Sequence, residues 1–322
     1  MKKQGSLIIS LDFELLWGIF DKVDYKDKIE YFQNTRNVIP RILNLFDKFE
    51  ISCTWATVGM LFNHNWEEWS ENFPAVLPAY HNRAFSAYEY GSRIKSTSTV
   101  DFCFAPDLID KIIQVPGQEI ATHTYSHYYC LEGGQTPEAF KADLELSIKL
   151  ALDKGITLRS LVFPRNQYNF DYLKICHELG IRNVRSNPEN WYWIDTQKDS
   201  LQQKFFRTGD AYIGIKDKSY KPTSLKKEDG VPLSQKASRL LRPYSSNKIL
   251  NTLKLKRIFS EMDYAAKNGE IYHLWWHPHN FGNNPEENIN DLSLILEHYK
   301  ILKDQYDFRS MNMDEIYLSL EK

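Results

Sequence analysis

The chain has 322 residues, 42% hydrophobic and 25% charged, with a formal net charge of −2. That length can bury a large core as one α/β barrel or two small domains, and near-average composition excludes a disordered or fibrous class. No stretch is apolar for the length a bilayer requires, and the run Leu7 to Leu11, cut off by Asp12, is too short for a signal-peptide core. A cytoplasmic location is expected, with no nucleic-acid partner and no transmembrane segment.

In chain order, Ser6 to Leu11 reads as a buried strand that ends beside Asp12 and Glu14. Apolar residues at helical spacing (Val38, Ile42, Leu45, Phe46) predict a helix over Ile29 to Phe49, followed by a strand Ile51 to Thr57 and a helical piece Gly59 to Phe62. The segment 64–104 has little periodicity, but its Trp66, Trp69, Tyr80, Tyr88 and Tyr90 argue against disorder. Alternation then resumes. A helix Pro106 to Gln114 precedes a strand Glu119 to Thr122, and Thr136-Pro137 opens a helix through Lys154. Leu161 to Phe163 is a strand leading into Pro164-Arg165-Asn166, and Phe170 to Glu178 is a helix stopped by Gly180. Ile181 to Val184 is a strand and Phe205 to Ile215 a β-rich stretch. A helix Leu253 to Lys267 stops at Asn268-Gly269, and Glu270 to Trp276 is the last clear strand, running into His277-Pro278-His279. Helices over Glu287 to Gln305 and Asp314 to Leu320 close the chain.

Such alternation implies a parallel sheet with right-handed crossovers, and about seven repeats suggest closure into a barrel. The expected architecture is a single domain, 1–322, with long loops 64–104 and 216–250 at the rim of the site. From Lys216 to Arg257 there are twelve Lys or Arg against three Asp or Glu, a local +9 that leaves −11 elsewhere. Such a basic flap could meet a diphosphate-linked sugar, contact an anionic membrane peripherally, or be a solvated loop. Cys53, Cys103, Cys130 and Cys176 show no metal or scaffold spacing, so free thiols are expected.

In a parallel barrel the chemistry gathers where strands end. The residues that follow the strands are Asp12 and Glu14, then His123 and His127, then Arg165, then His277 and His279. The two histidines of GQEIATHTYSHYYC are four apart, so a helical turn would aim both at one point. Alone, such a pair is more often structural, and Thr124 stands where a zincin would carry Glu, so a general base must come from elsewhere. The whole list favours a metal hydrolase. A divalent ion held by imidazoles and one carboxylate activates water and polarises a carbonyl, one carboxylate takes the water proton, and a separate acid serves the leaving amine. Asp12 and Glu14 can divide base and ligand duties, His277 is the natural acid, and Arg165 could orient a carboxylate. Arg83, Tyr88, Trp276, Asn166 and His279 are the expected substrate contacts.

SLDFELLWG at 10–18, THTYSH at 122–127, FPRNQ at 163–167 and LWWHPHNFG at 274–282 resemble, in order, the motifs of the polysaccharide deacetylases, carbohydrate esterase family 4, also known by its NodB homology. The likeness is nearest to members that serve surface-polysaccharide synthesis, which also carry a segment like ASRLLRPYS at 237–245. The resemblance implies a distorted (β/α)7 barrel and metal-dependent removal of acetyl from an N-acetylated sugar, with Zn2+ as the expected ion. It makes His123 and His127 metal ligands and His277 the catalytic acid. Family members have two adjacent aspartates, base then ligand, whereas here Phe13 separates Asp12 from Glu14. Strand alternation returns Glu14 to the face of Asp12. Asp12 is therefore assigned as base and Glu14 as third ligand, with the exchange of roles open. Arg165 follows its proline instead of preceding it, which bears on its pairing with Asp12. The alternatives are a hydrolase of another small amide (a formamide or ureide) or a phosphoester, and an inactive carbohydrate-binding barrel.

Overall fold

The computed structural model describes residues 4–188 and 218–321 and, between them, Gln202, Phe206, Gly209, Asp210 and Tyr212. Its strands are β1 (Ser6–Phe13), β2 (Cys53–Thr57), β3 (Gln118–Thr122), β4 (Ser160–Leu161), β5 (Asn183–Ser186), β6 (Leu233–Lys236), β7 (Arg239–Leu240), β8 (Ile271–Trp276) and β9 (Arg309–Met311). They lie in the order β6-β5-β4-β3-β2-β1-β8-β7, and all the pairs are parallel. All eight residues of β1 are buried, as a central strand covered on both faces must be. The short β9 pairs with Ser6, Leu7 and Ile8, alongside the part of β1 that precedes its pairing with β2.

The barrel closes through one bent segment. β6 pairs with β5, the Ala237 N–H donates to Ser186 O and the Ser238 N–H to His273 O, and β7 then pairs with β8. With β6 and β7 counted as one broken strand and β9 off the path, seven staves remain. This is the distorted (β/α)7 barrel that the family resemblance implies, and its parallel, closed sheet is what the alternation predicts.

Helices form where periodicity and caps agree. Ile29–Phe49 buries Phe32, Val38, Ile39, Ile42, Leu43, Phe46 and Phe49 on one face. Pro137–Asp153 starts at Thr136, whose hydroxyl accepts from the Ala139 N–H. The helix expected from Leu253 begins earlier, at Lys248, because the Asn247 side chain caps the N–H groups of Ile249 and Leu250. It stops at Gly269 in the left-handed region, φ 66°, as the sequence indicates.

Three expectations change. The segment 64–104 folds into helices Trp66–Glu71, Ala87–Ile94 and Val100–Cys103, and its indoles pack with Trp17, which stacks on Trp69 at 6.4 Å. The stretch 216–250 supplies β6 and β7, so it is part of the barrel wall. Nor is the basic segment a free flap. Arg239 and Lys254 are buried and paired with Glu261 and Asp291, and Lys218 pairs with Asp210. Local charge counting cannot see carboxylates that arrive from other elements. The β-rich stretch Phe205 to Ile215 falls largely outside the described residues. Those of it that are described, Phe206, Gly209, Asp210 and Tyr212, are helical. Among the described residues, no helix is long and apolar enough to cross a membrane.

Candidate active site

At the C-terminal ends of the strands a cavity of about 360 Å³ is lined by Asp12, Glu14, His123, His127, His277 and Trp275, among others. Asp12 lies on β1, His123 directly follows β3, and His277 directly follows β8. Glu14 ends the extended run and begins the turn Leu15–Gly18. Gly18 leaves room for the Glu14 carboxylate, because a Cβ there would stand 1.7 Å from Glu14 Oε2.

The two histidines do not share a helical turn. Thr124 and His127 take left-handed backbone, φ 61° and 56°, and the stretch is held by bonds from outside it. Asp143, on the helix Pro137–Asp153, accepts from the N–H groups of Tyr125 (2.6 Å) and Ser126 (3.1 Å) and from the Ser126 hydroxyl. The Gly59 and Met60 N–H groups donate to Thr124 O and Tyr125 O. The imidazoles still converge, with centroids 5.0 Å apart.

His123 Nδ1 donates to Val162 O at 2.7 Å, since a carbonyl can only accept, and this turns its Nε2 toward Glu14. That Nε2 is buried without a hydrogen-bond partner, 3.0 Å from Glu14 Oε1. His127 Nε2 lies 3.3 Å from the same oxygen, while its Nδ1 meets the Tyr129 hydroxyl at 3.1 Å. Burial pushes His127 down to about 4, so its imidazole is neutral at pH 7. Burial alone would raise Glu14, but His277, His123 and His127 around it outweigh that and hold it well below the usual carboxylate range. Two imidazole nitrogens and one carboxylate oxygen, all within 4.8 Å of one another, form a set that could hold a cation. Ligands about 2.0–2.2 Å from a tetrahedral ion stand roughly 3.3–3.5 Å apart, which these separations approach.

Asp12 is engaged differently. Arg185 on β5 grips it with both arms, Nη1 to Oδ1 and Nη2 to Oδ2, each at 2.7 Å. Arg185 Nη1 also donates to Ser10 Oγ at 3.1 Å, and the guanidinium lies 4.2 Å from the centroid of the Trp275 ring. Burial alone would raise the Asp12 carboxyl; the Arg185 charge, followed by His123 and His277, brings it below its ordinary value. Asp12, Glu14 and His277 also have ligand atoms within 4.8 Å. A cation there would stand against the Arg185 charge across the Asp12 carboxylate, so Glu14 with the two histidines is the better set.

His277 Nε2 is 3.6 Å from both Asp12 Oδ2 and Glu14 Oε1, and its side chain, 26% exposed, stands at the mouth of the cavity. His279 is buried, stacks on His277 with centroids 4.9 Å apart, and is pushed down to about 3 by burial.

This barrel has counterparts among known proteins. The family profile described as polysaccharide deacetylase matches residues 19–184, more than half of the chain. The chain belongs to the polysaccharide deacetylase family. The barrel of this family member is similar to that of a Mycobacterium smegmatis protein assigned to the polysaccharide deacetylases, at TM-score 0.61 and 14% identity, over 99% of this chain and 91% of that one. It is similar also to one from Pseudomonas aeruginosa PAO1, at TM-score 0.56 and 10% identity, over 97% and 88%. The 4-alpha-glucanotransferase from Thermococcus litoralis has a similar fold, at TM-score 0.55 and 13% identity, over 98% of this chain and 40% of that one. No curated protein matches in sequence.

Not all the residues expected in the site meet there. Arg165 and Asn166 line the cavity, but Arg165 pairs with Asp21 and lies 4.0 Å from the Tyr129 ring centroid, so Asp12 takes Arg185 in its place. Trp276 faces away, packed against Phe46 and Phe281. The register sets Trp276 beside Leu11 and Trp275 beside Ser10, and Trp275 lines the cavity. Tyr88 is buried on Trp69, and Arg83 is exposed and paired with Glu89. Arg185 is the residue that sequence reasoning misses. Its signal is an arginine within a short strand of a parallel sheet, where an unpaired charge would be costly.

Proposed function

We propose that this polysaccharide deacetylase removes the acetyl group from an N-acetylated sugar of a surface-polysaccharide or glycolipid precursor. The observation that carries this reading is Glu14 Oε1 facing Nε2 of both His123 and His127, beside the Asp12–Arg185 pair. Glu14, His123 and His127 would hold a divalent ion, Zn2+ for preference given its nitrogen-rich ligands. Bound there, the ion supplies Lewis acidity for the acetyl carbonyl and an acidified water.

Asp12 takes the proton from the attacking water, and Arg185 keeps that carboxylate ionised and fixed in direction. As the C–N bond breaks, His277 delivers a proton to the sugar nitrogen, so the products are acetate and a free amine. Trp275, backed by Arg185, offers a flat wall for the sugar ring. We propose the cytoplasm as the site of the reaction, a reading that free, buried cysteines support.

The test is metal content together with acetate release from N-acetylhexosamine donors. The expected outcome is about one ion per chain, and acetate release that Asp12→Asn and His127→Ala abolish. A protein that takes up no metal, or a metal-loaded protein that binds saccharide and releases no acetate from any donor, would overturn it. The latter result would leave a carbohydrate-binding barrel.

A further inference from the structure

A second groove, of about 540 Å³, is lined from the same loop as the catalytic cavity. Lys22 lines the cavity, and the groove begins with the next residue, Val23, so the two share the loop that follows β1. The groove is walled by Tyr25 and Tyr90 and carries Lys26, Arg93 and Lys95 against a single carboxylate, Asp24. Asp24 is already occupied as a cap, its Oδ1 accepting from the Lys26 N–H at 3.0 Å. Lys95 Nζ reaches only the Ser70 hydroxyl, and Arg93 lies 5.8 Å from the Tyr90 ring centroid. All three cations are exposed, and among the described residues none of them, nor Lys22, forms an ion pair. Three cations against the one carboxylate leave this surface a local excess of two positive charges. The cations that the sequence concentrates in 216–257 do not provide one at Arg239 or Lys254, which are spent on internal carboxylates.

We propose that this groove is a phosphate-binding subsite, holding the diphosphate of the substrate's carrier while the attached N-acetylated sugar enters the cavity past Lys22. A diphosphate brings at least two negative charges to three unpaired cations, and the two tyrosines offer ring surface to whatever the diphosphate bears. The sugar's direction rests on the deacetylase function proposed above; the anion binding does not.

The test compares the metal-loaded wild type with the triple variant Lys26→Ala/Arg93→Ala/Lys95→Ala, its fold checked by thermal melting. Calorimetry would use uridine diphosphate and farnesyl diphosphate as probes at low and high salt. Loss of three exposed charge contacts is expected to weaken binding roughly tenfold, with a smaller salt dependence in the variant. On a diphosphate-linked N-acetylhexosamine the variant should raise KM with kcat kept, while deacetylation of a neutral N-acetylated oligosaccharide stays unchanged. Preference for uridine diphosphate would assign a nucleotide carrier, and preference for farnesyl diphosphate a lipid one. Absence of binding by both probes, or equal binding by wild type and variant, would overturn the proposal. Variant-sensitive binding without acetate release from any donor would uphold the groove and refute the deacetylase function instead.

Discussion

Arg185 and Asp12, 173 residues apart in sequence, form a two-armed ion pair with both bonds at 2.7 Å in the interior of the barrel. The pair connects β5 to β1 and fixes the direction of the carboxylate assigned as base. Arg185→Ala would leave a buried carboxylate without its counter-charge, at a cost of about 3–5 kcal/mol in stability. Because Arg185 lowers the Asp12 pKa, its removal raises that pKa, and the acid limb of the kcat/KM pH profile should move to higher pH. Arg185→Lys keeps a charge but not the fork and should rescue stability more than rate. Urea unfolding and pH–rate measurements check both.

Gly18 and Glu14 share one space. A methyl at position 18 would sit 1.7 Å from Glu14 Oε2, so Gly18→Ala must displace that carboxylate. The expected result is a loss of metal affinity of roughly tenfold or more with both histidines intact, read by competition with a chelating dye.

Asp143 holds the histidine stretch by its backbone. Asp143→Ala removes the acceptor for the Tyr125 and Ser126 N–H groups, and each buried donor left unpaired costs about 1–3 kcal/mol. Thr124 and His127, held at positive φ, lose their restraint. The melting temperature and metal affinity should fall together, although Asp143 would touch no ion.

Glu119 gives the fold a pH dependence at the opposite end of β3 from His123. Burial pushes its carboxyl up to about 7, although its Oε2 accepts from Thr54 Oγ1 and the Asp314 N–H. A folded-state pKa above the unfolded value means the contribution is fully present below about pH 4.5 and is lost as pH rises through about 7. The loss is at most roughly 3 kcal/mol, and less to the extent that solvent reaches the side chain. Glu119→Gln should lessen the fall in stability between pH 4.5 and 8, the remainder coming from Asp143, which burial also pushes up to about 7; denaturant unfolding at several pH values measures it.

The helix Ile29–Phe49, the Thr136 cap and the Gly269 stop were legible because their causes, an apolar face and a capping residue, lie within a few residues. Strands β6, β7 and β9 were not legible. They are two to four residues long and owe their form to neighbours already in the sheet.

The sequence by itself determined the seven-fold alternation of strand and helix and placed Asp12, Glu14, His123, His127 and His277 at strand ends, since side-chain period and capping are local properties. Only the tertiary structure decided who faces whom: Arg185 on Asp12, Arg165 on Asp21, Glu14 between two imidazoles, Trp275 rather than Trp276 in the cavity. Those pairings depend on sheet order and register, which bring together residues more than a hundred positions apart, and a buried charge settles on whichever counter-charge that geometry supplies.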